Sequence, residues 1–233
     1  MNTEAFTGKA QAYAEARPGY PDEVVEYVCK LAPTSAIFAD IGAGTGKFTE
    51  LLARYGNEIY AVEPNADMRK QLAITLTLFP NVKIVDGTAE ATTLSDYSID
   101  VITCAQAIGW FDLNAFRGEC HRIGKSGVII VSIYHYVPGD SYIPNNNRLT
   151  NKKATEIFFT NPAVQDFSYV TYHTREVWLQ KWIQGYASVS DNPRLSDAEY
   201  EAHIAEANKI FDRDSVDGLL RKDSTVRVYS EKM

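Results

Sequence analysis

The seven residues Asp40-Ile41-Gly42-Ala43-Gly44-Thr45-Gly46 set alternate glycines between an apolar run at 36–41 and a helically spaced stretch at 48–55. Glycine reaches backbone torsions closed to other residues and lets the main chain approach a ligand closely. A helix that follows such a turn begins with N–H groups lacking intrahelical partners, which suit an anionic part of a ligand. The next apolar run, Ile59-Tyr60-Ala61-Val62, ends in Glu63. A carboxylate has acceptor lone pairs only, so at that position it can receive both hydroxyl hydrogens of a ribose. Strand, glycine turn, helix and terminal acid together predict a nucleoside-binding site; a merely tight turn and an exposed loop glutamate are the plainer alternatives.

The rest of the chain supplies the sheet for such a site. Short apolar runs at 58–62, 82–85, 99–104 and 128–134 alternate with helical stretches at 48–55, 68–78 and 113–122, the last ending in a turn at 124–127. Strands alternating with helices imply βαβ units and a parallel sheet covered on both faces. Residues 22–31 read as a helix before the first strand. Beyond Tyr134, the piece 138–151 is polar and turn-rich, with Pro144-Asn145-Asn146-Asn147 opposing regular structure. A strand at 164–173, helices at 176–186 and 197–211 and a closing strand at 225–230 follow, so 174–223 reads as an insertion before the last strand. Neither a repeat nor a shift of composition marks a second domain, and 233 residues suit one α/β unit.

Composition narrows the function. A net charge of −7 argues against a nucleic-acid partner, which selects a basic stripe, but leaves room for a locally basic pocket. No apolar run approaches the ~20 residues of a membrane span, and the first residues lack the pattern of a secretory signal, so a cytoplasmic protein without a membrane partner is expected. The three cysteines, Cys29, Cys104 and Cys120, are scattered and read as buried thiols; the four histidines are dispersed, and no metal site is expected.

The motifs resemble those of class I S-adenosylmethionine-dependent methyltransferases. Asp40 to Gly46 is similar to their first motif and Val62-Glu63-Pro64 to their second. Asp86-Gly87-Thr88-Ala89-Glu90 resembles the third, Asp100 to Ala107, with Ala105 and Gln106, the fourth, and Glu119 to Gly127 the helix and turn before the fifth strand. Tyr13-x-x-x-Arg17-Pro18-x-Tyr20-Pro21 and Ala107-Ile108-Gly109-Trp110-Phe111-Asp112 are similar to the small-molecule branch called methyltransferase type 11, which includes trans-aconitate methyltransferase-like enzymes. Relatives commonly carry histidine where this chain has Gly109, so a catalytic role for that histidine does not carry over, and no catalytic residue is assigned.

The resemblance implies a doubly wound, mostly parallel, Rossmann-like sheet of seven strands, the last antiparallel. An N-terminal helical lid (1–35), a cofactor-binding core (36–134) and an acceptor-side region (135–233) complete the expectation. It implies S-adenosylmethionine as cofactor, S-adenosylhomocysteine as product and a small organic methyl acceptor, an acidic one by first expectation. Gly42, Gly44 and the turn through Asp40 and Gly46 would face the methionine part, and Glu63 with Pro64 the ribose. Asp86, Gly87, Thr88, Ala89 and Glu90 would flank the adenine, with Met68 against a ring face. Arg17 would clamp a carboxylate or sit on the surface. Tyr13, Tyr20 and Trp110 would line the methyl-transfer chamber beside Ala105 and Gln106, since aromatic faces attract a sulfonium; Trp110 as plain core is the alternative. Trp178, Trp182 and Tyr186 read as one buried helix face, and Arg148, Arg175, Arg194, Arg213 and Arg221 as candidates to meet an acidic acceptor. Methyl transfer is an in-line displacement whose leaving group is already activated, so positioning supplies on the order of 7–11 kcal/mol without a catalytic triad. A nicotinamide-dependent oxidoreductase and a non-catalytic nucleoside-binding protein remain the alternatives, and a monomer and a homodimer are both compatible with the sequence.

Overall fold

The computed structural model describes residues 19–136, 149–188 and 196–233. Seven strands form one sheet: β1 (Ile37–Ile41), β2 (Glu58–Val62), β3 (Val82–Val85), β4 (Ile99–Ala105), β5 (Gly124–Tyr136), β6 (Ala163–His173) and β7 (Leu220–Lys232). Their order is β3-β2-β1-β4-β5-β7-β6. The first five run parallel, and β7 pairs antiparallel with both β5 and β6. The expected doubly wound, mostly parallel architecture is therefore the one observed. Chain order reverses at β1, where β2 lies on one side and β4 on the other, and such a switch point opens a crevice at the carboxyl ends of the strands.

Helices cover both faces. On one, α1 (Asp22–Leu31) and α2 (Lys47–Ala53) bring Val24, Val25, Val28, Phe48 and Leu52 onto Phe38, Val101, Val131 and Ile133. On the other, α4 (Leu113–Ile123) and α5 (Asn151–Phe158) bring Phe116, Cys120 and Phe158 onto Ala39, Ile102 and Ile130. Residues of β1 alternate between the two clusters, as the period of a strand dictates. Between β2 and β3 lies α3 (Ala66–Thr75), capped by the side chain of Asn65, which accepts from the N–H groups of Asp67 and Met68.

Two elements depart from expectation. The turn at 124–127 is instead the start of β5: Gly124 pairs with Ile99, and a register shift before Val101 absorbs the extra residues, with Gly127 at φ +78°. Helix α5 falls just beyond the turn-rich piece, in a stretch to which no element was assigned. Its signal was present in the Thr150 cap, whose side chain accepts from Lys153 N–H, and in the spacing of the buried Ala154, Thr155 and Phe158. The polar run before it masked that pattern. In the expected lid, α1 is core, since three of its valines are fully buried; residues 1–18, with Tyr13 and Arg17, lie outside the described part.

Helices α6 (Arg175–Ser188) and α7 (Asp197–Asp214) form the insertion before β7. Trp178, 9% exposed, donates its indole N–H to Ala207 O, and Trp182 donates to His203 O. The expected buried face of this helix is thus a tryptophan pair with both polar handles satisfied. The side chain of Tyr186 lies outside the described residues.

Candidate cofactor site

The site grows from β1. Asp40, next to last in that strand, is buried, and the Thr49 hydroxyl donates to one carboxylate oxygen at 2.6 Å and the Thr103 hydroxyl to the other at 2.8 Å. Burial pushes this carboxyl up to about 6 although both hydroxyls pull it down. Its oxygens tie α2 and β4 to β1, so Asp40 braces the turn. Past Ile41, the N–H groups of Gly42 and Ala43 both donate to Val62 O, at 2.9 and 3.1 Å. Gly42 at φ +72° has Ala107 Cβ only 2.7 Å from where its own Cβ would stand, which explains glycine there. Gly46, at φ +90°, opens α2 and would strike Leu72 if it had a side chain, so it serves packing between α2 and α3.

Glu63 closes the same turn from β2. Gly44 N–H donates to Glu63 Oε2 at 2.9 Å, and Asn65 N–H donates to Oε1 at 2.8 Å. The carboxylate is 7% exposed, and burial raises its pKa against these two hydrogen bonds. Each oxygen keeps a lone-pair direction for a further donor. Around it, Arg69 donates to Glu63 O and Pro64 O and pairs with Asp86 at 2.8 Å. Pro64 thus contributes its carbonyl to a brace.

The third-motif residues separate. Asp86, at the end of β3, has a 71% exposed side chain. Gly87 sits against Thr92, whose carbonyl would lie 2.6 Å from an added Cβ. Thr88 bridges to Ala91, Ala89 joins the hydrophobic core, and Glu90 accepts from Asp112 N–H at 2.9 Å. Met68 is buried.

Between the ends of β1, β4 and β5 lies a cleft floored by Gly42, Ala43, Gly44 and Thr45 and walled by Ala105, Gln106, Lys47 and Phe48. Tyr20 and His135 complete it, their rings stacked at 5.4 Å and 17°, with Tyr20 edge-on to Phe48 at 5.2 Å. Tyr20, Asp40, Gly42, Gly44, Ala105 and Gln106 were expected to meet here. Trp110 instead packs against the core, half-buried, and does not line this cleft. Ala43, Thr45, Lys47 and Phe48 lie in or next to the recognised turn but were not singled out as site residues, and His135 escaped the sequence reading; a histidine at the carboxyl end of the fifth strand was the available signal. Thr45 Oγ1 is buried with no hydrogen-bond partner among the described residues, and a Cβ at Gly44 would touch nothing nearer than 4.0 Å. An orphaned hydroxyl beside open space fits a polar ligand laid over the turn.

Strand order, switch-point cleft and glycine turn define a Rossmann-like fold of the methyltransferase type. Residues 39–132 match the family described as methyltransferase domain. Among curated relatives, an uncharacterised methyltransferase-like protein of Schizosaccharomyces pombe is 33% identical over 136 residues, covering 55% of this chain and 52% of the relative. An uncharacterised methyltransferase of Mycobacterium tuberculosis is 36% identical over 123 residues, covering 53% and 49%. The chain thus spans about half the length of these relatives. A solved structure from Anaeromyxobacter dehalogenans, described as that of a type II methyltransferase, superposes with a TM-score of 0.73 at 22% identity over 93% of this chain and 97% of that one. That likeness concerns the fold. Among the described residues no helix is long and apolar enough to cross a membrane, and no cluster of His, Cys, Asp and Glu is placed to hold a metal.

Proposed function

We propose that the chain transfers a methyl group from S-adenosylmethionine to a small organic acceptor, leaving S-adenosylhomocysteine. The observation that carries this reading is the Glu63 carboxylate, buried at the end of β2 and pinned by Gly44 and Asn65 N–H with two acceptor directions to spare. When bound, the cofactor supplies an activated methyl on a sulfonium; the chain supplies placement. Glu63 receives the ribose hydroxyls. Asp86 would meet the adenine beyond β3, with Gly87 to Glu90 shaping the loop behind it, and the glycine turn and the cleft between β1, β4 and β5 would take the sulfur and amino-acid end. The Tyr20 face, stacked on His135, offers π density where a cationic sulfonium would lie. Residues 13 and 17 would add a tyrosine and an arginine from the N-terminal segment. An acidic acceptor of the trans-aconitate kind is the first to try, and phenols, amines and thiols follow. The proposed setting is cytoplasmic, as a monomer or homodimer without nucleic-acid or membrane partners.

Isothermal titration against S-adenosylhomocysteine, S-adenosylmethionine and NAD tests the cofactor; saturable binding of the first two and none of the third is expected. Binding of NAD alone would overturn the reading in favour of an oxidoreductase. Turnover of methyl-labelled cofactor against a library of metabolite acids, phenols, amines and thiols then names the acceptor. Tight binding with no labelled product across all four classes would favour a non-catalytic binding protein.

A further inference from the structure

We propose that Gln106 offers the donor end of its side-chain amide to the carboxylate of the cofactor's amino-acid tail, and that Asn151, from α5, is the positioning residue that holds it so. The inference rests on the S-adenosylmethionine reading above. Its logic is one of polarity. Gly109 N–H is a donor without ambiguity, and it donates to Asn151 Oδ1 at 3.0 Å. The other end of that amide is then Nδ2, which donates to Gln106 Oε1 at 2.9 Å. A primary amide has one acceptor end and one donor end. With Oε1 taken, Nε2 is the end left for the cleft that Gln106 lines. No acceptor for it exists among the described residues.

Two further observations point the same way. Gln106 is held at φ +58°, a left-handed torsion uncommon outside glycine, with its own N–H bound to Ile133 O at 2.8 Å. Such strain persists where surroundings over-determine it, and it clusters at ligand sites. Gly109 also lacks the side chain that would exclude Asn151: an added Cβ would lie 2.5 Å from Leu149 O and 3.1 Å from Asn151 Oδ1. The missing histidine of the sequence pattern is therefore the space in which the amide relay is built.

The ligand group follows from geometry. With ribose at Glu63 on β2, the tail of the cofactor extends toward β1 and β4, where Gly44 and Gln106 line the cleft. Of the two charged groups on that tail, an N–H donor suits the carboxylate and not the ammonium.

The test compares two probes by titration on the full chain: S-adenosylhomocysteine, and 5′-deoxy-5′-methylthioadenosine, which keeps nucleoside and sulfur but lacks the tail. Gln106→Ala and Asn151→Ala should each weaken S-adenosylhomocysteine about tenfold, the scale of a hydrogen bond to a charged group, and leave the tail-less probe within about twofold. The double variant should be no worse than the weaker single, since Asn151 acts through Gln106. Gln106→Glu keeps the acceptor for Asn151 and replaces the donor by a carboxylate oxygen, so it should lose the tail selectively with an unchanged melting temperature. Equal loss of both probes, additive losses in the double variant, or a neutral Gln106→Glu would each overturn the proposal while the cofactor reading stands. A wild-type chain that binds neither probe would bring down the cofactor reading and this inference together.

Discussion

On the β2-β1-β4 side of the sheet, strands are buried on both faces and end in glycine turns and buried carboxylates; on the β7-β6 side they alternate and end in solvated ion pairs. Strand β4 shows buried residues at nearly every position, whereas β6, at the edge, is exposed along most of its length. Its one carboxylate, Asp166, is paired across the ladder with Arg227 at 2.6 and 2.7 Å, and a charge on such a strand blunts an edge open to further pairing. A parallel strand covered by helices has no solvent side, so polar residues survive there only where they are satisfied or used. In the first region each buried acid is bound to turn, strand or neighbouring backbone. The second region pairs its exposed charges within itself, as Arg175 with Asp212 and Arg221 with Asp223.

The contrast is broken most severely at Gly42. Replacement by Ala forces φ +72° on a residue with a Cβ and sets that carbon 2.7 Å from Ala107 Cβ. Left-handed strain of about 1–2 kcal/mol and overpacking of about 1–3 kcal/mol combine there. Chemical denaturation should show a loss of roughly 2–5 kcal/mol, together with loss of S-adenosylhomocysteine binding. A variant as stable as wild type would mean that the turn relaxes freely and is no rigid cradle.

Asp40 sharpens the comparison through pH. Burial holds its carboxyl at about 6 rather than 3.8 in the folded chain. A raised acid binds its proton more tightly when folded, so the associated stability is present at low pH and is lost as pH rises from about 4 through about 6. At neutral pH the ionised group costs up to about 3 kcal/mol, at about 1.4 kcal/mol per pKa unit. Asp40→Asn removes this titration. The stability of wild type relative to the variant, followed by urea melts, should fall between pH 4.5 and pH 7.5. A constant difference would place the proton elsewhere.

Glu63 asks whether the strand ends of the first region hold a ligand. Glu63→Ala should weaken S-adenosylhomocysteine by roughly 1.5–3 kcal/mol, as for a hydrogen bond to a charged group. Titration on the folded variant measures it. Unchanged affinity would leave Glu63 as a brace for Gly44 and Asn65 alone.

These differences also explain what was legible in the residues. The parallel half announces itself, because apolar runs such as Val101 to Cys104 and a turn of alternate glycines follow directly from two-sided burial and positive torsions. Glu63 and the cleft glycines were readable for the same reason, being local in sequence. Gln106 was named from its motif, but its partner Asn151 was not, since the contact joins residues 45 apart and depends on an absent side chain at Gly109. His135 faces Tyr20 across 115 residues, and no local pattern marks such a pair. Met68 and Ala89, expected near the ligand from their motifs, are buried, and Trp110, half-buried, packs against the core.

The smallest effect is expected on the other side of the comparison, at the arginines that the sequence offered as candidates to meet an acidic acceptor. Arg175 donates to Asn208 and Asp212, Arg213 to Asp214, and Arg221 to Asp223. All three are more than two-fifths exposed, and none lines the cleft between β1, β4 and β5. Arg148 and Arg194 lie outside the described residues. Exposed ion pairs exchange one set of favourable contacts with water for another and are screened by salt, so their loss changes little. Arg175→Met carries the largest change of the three, since its guanidinium also lies 4.4 Å over the Phe211 ring, a contact the thioether only partly replaces. Each replacement should shift the melting temperature by less than about 2 °C. Cofactor affinity should stay at the wild-type value in all three. If any of them weakens cofactor binding while its melting curve is unchanged, the second region reaches the strand ends after all, and the division between a ligand-holding half and a self-satisfied half fails at that residue.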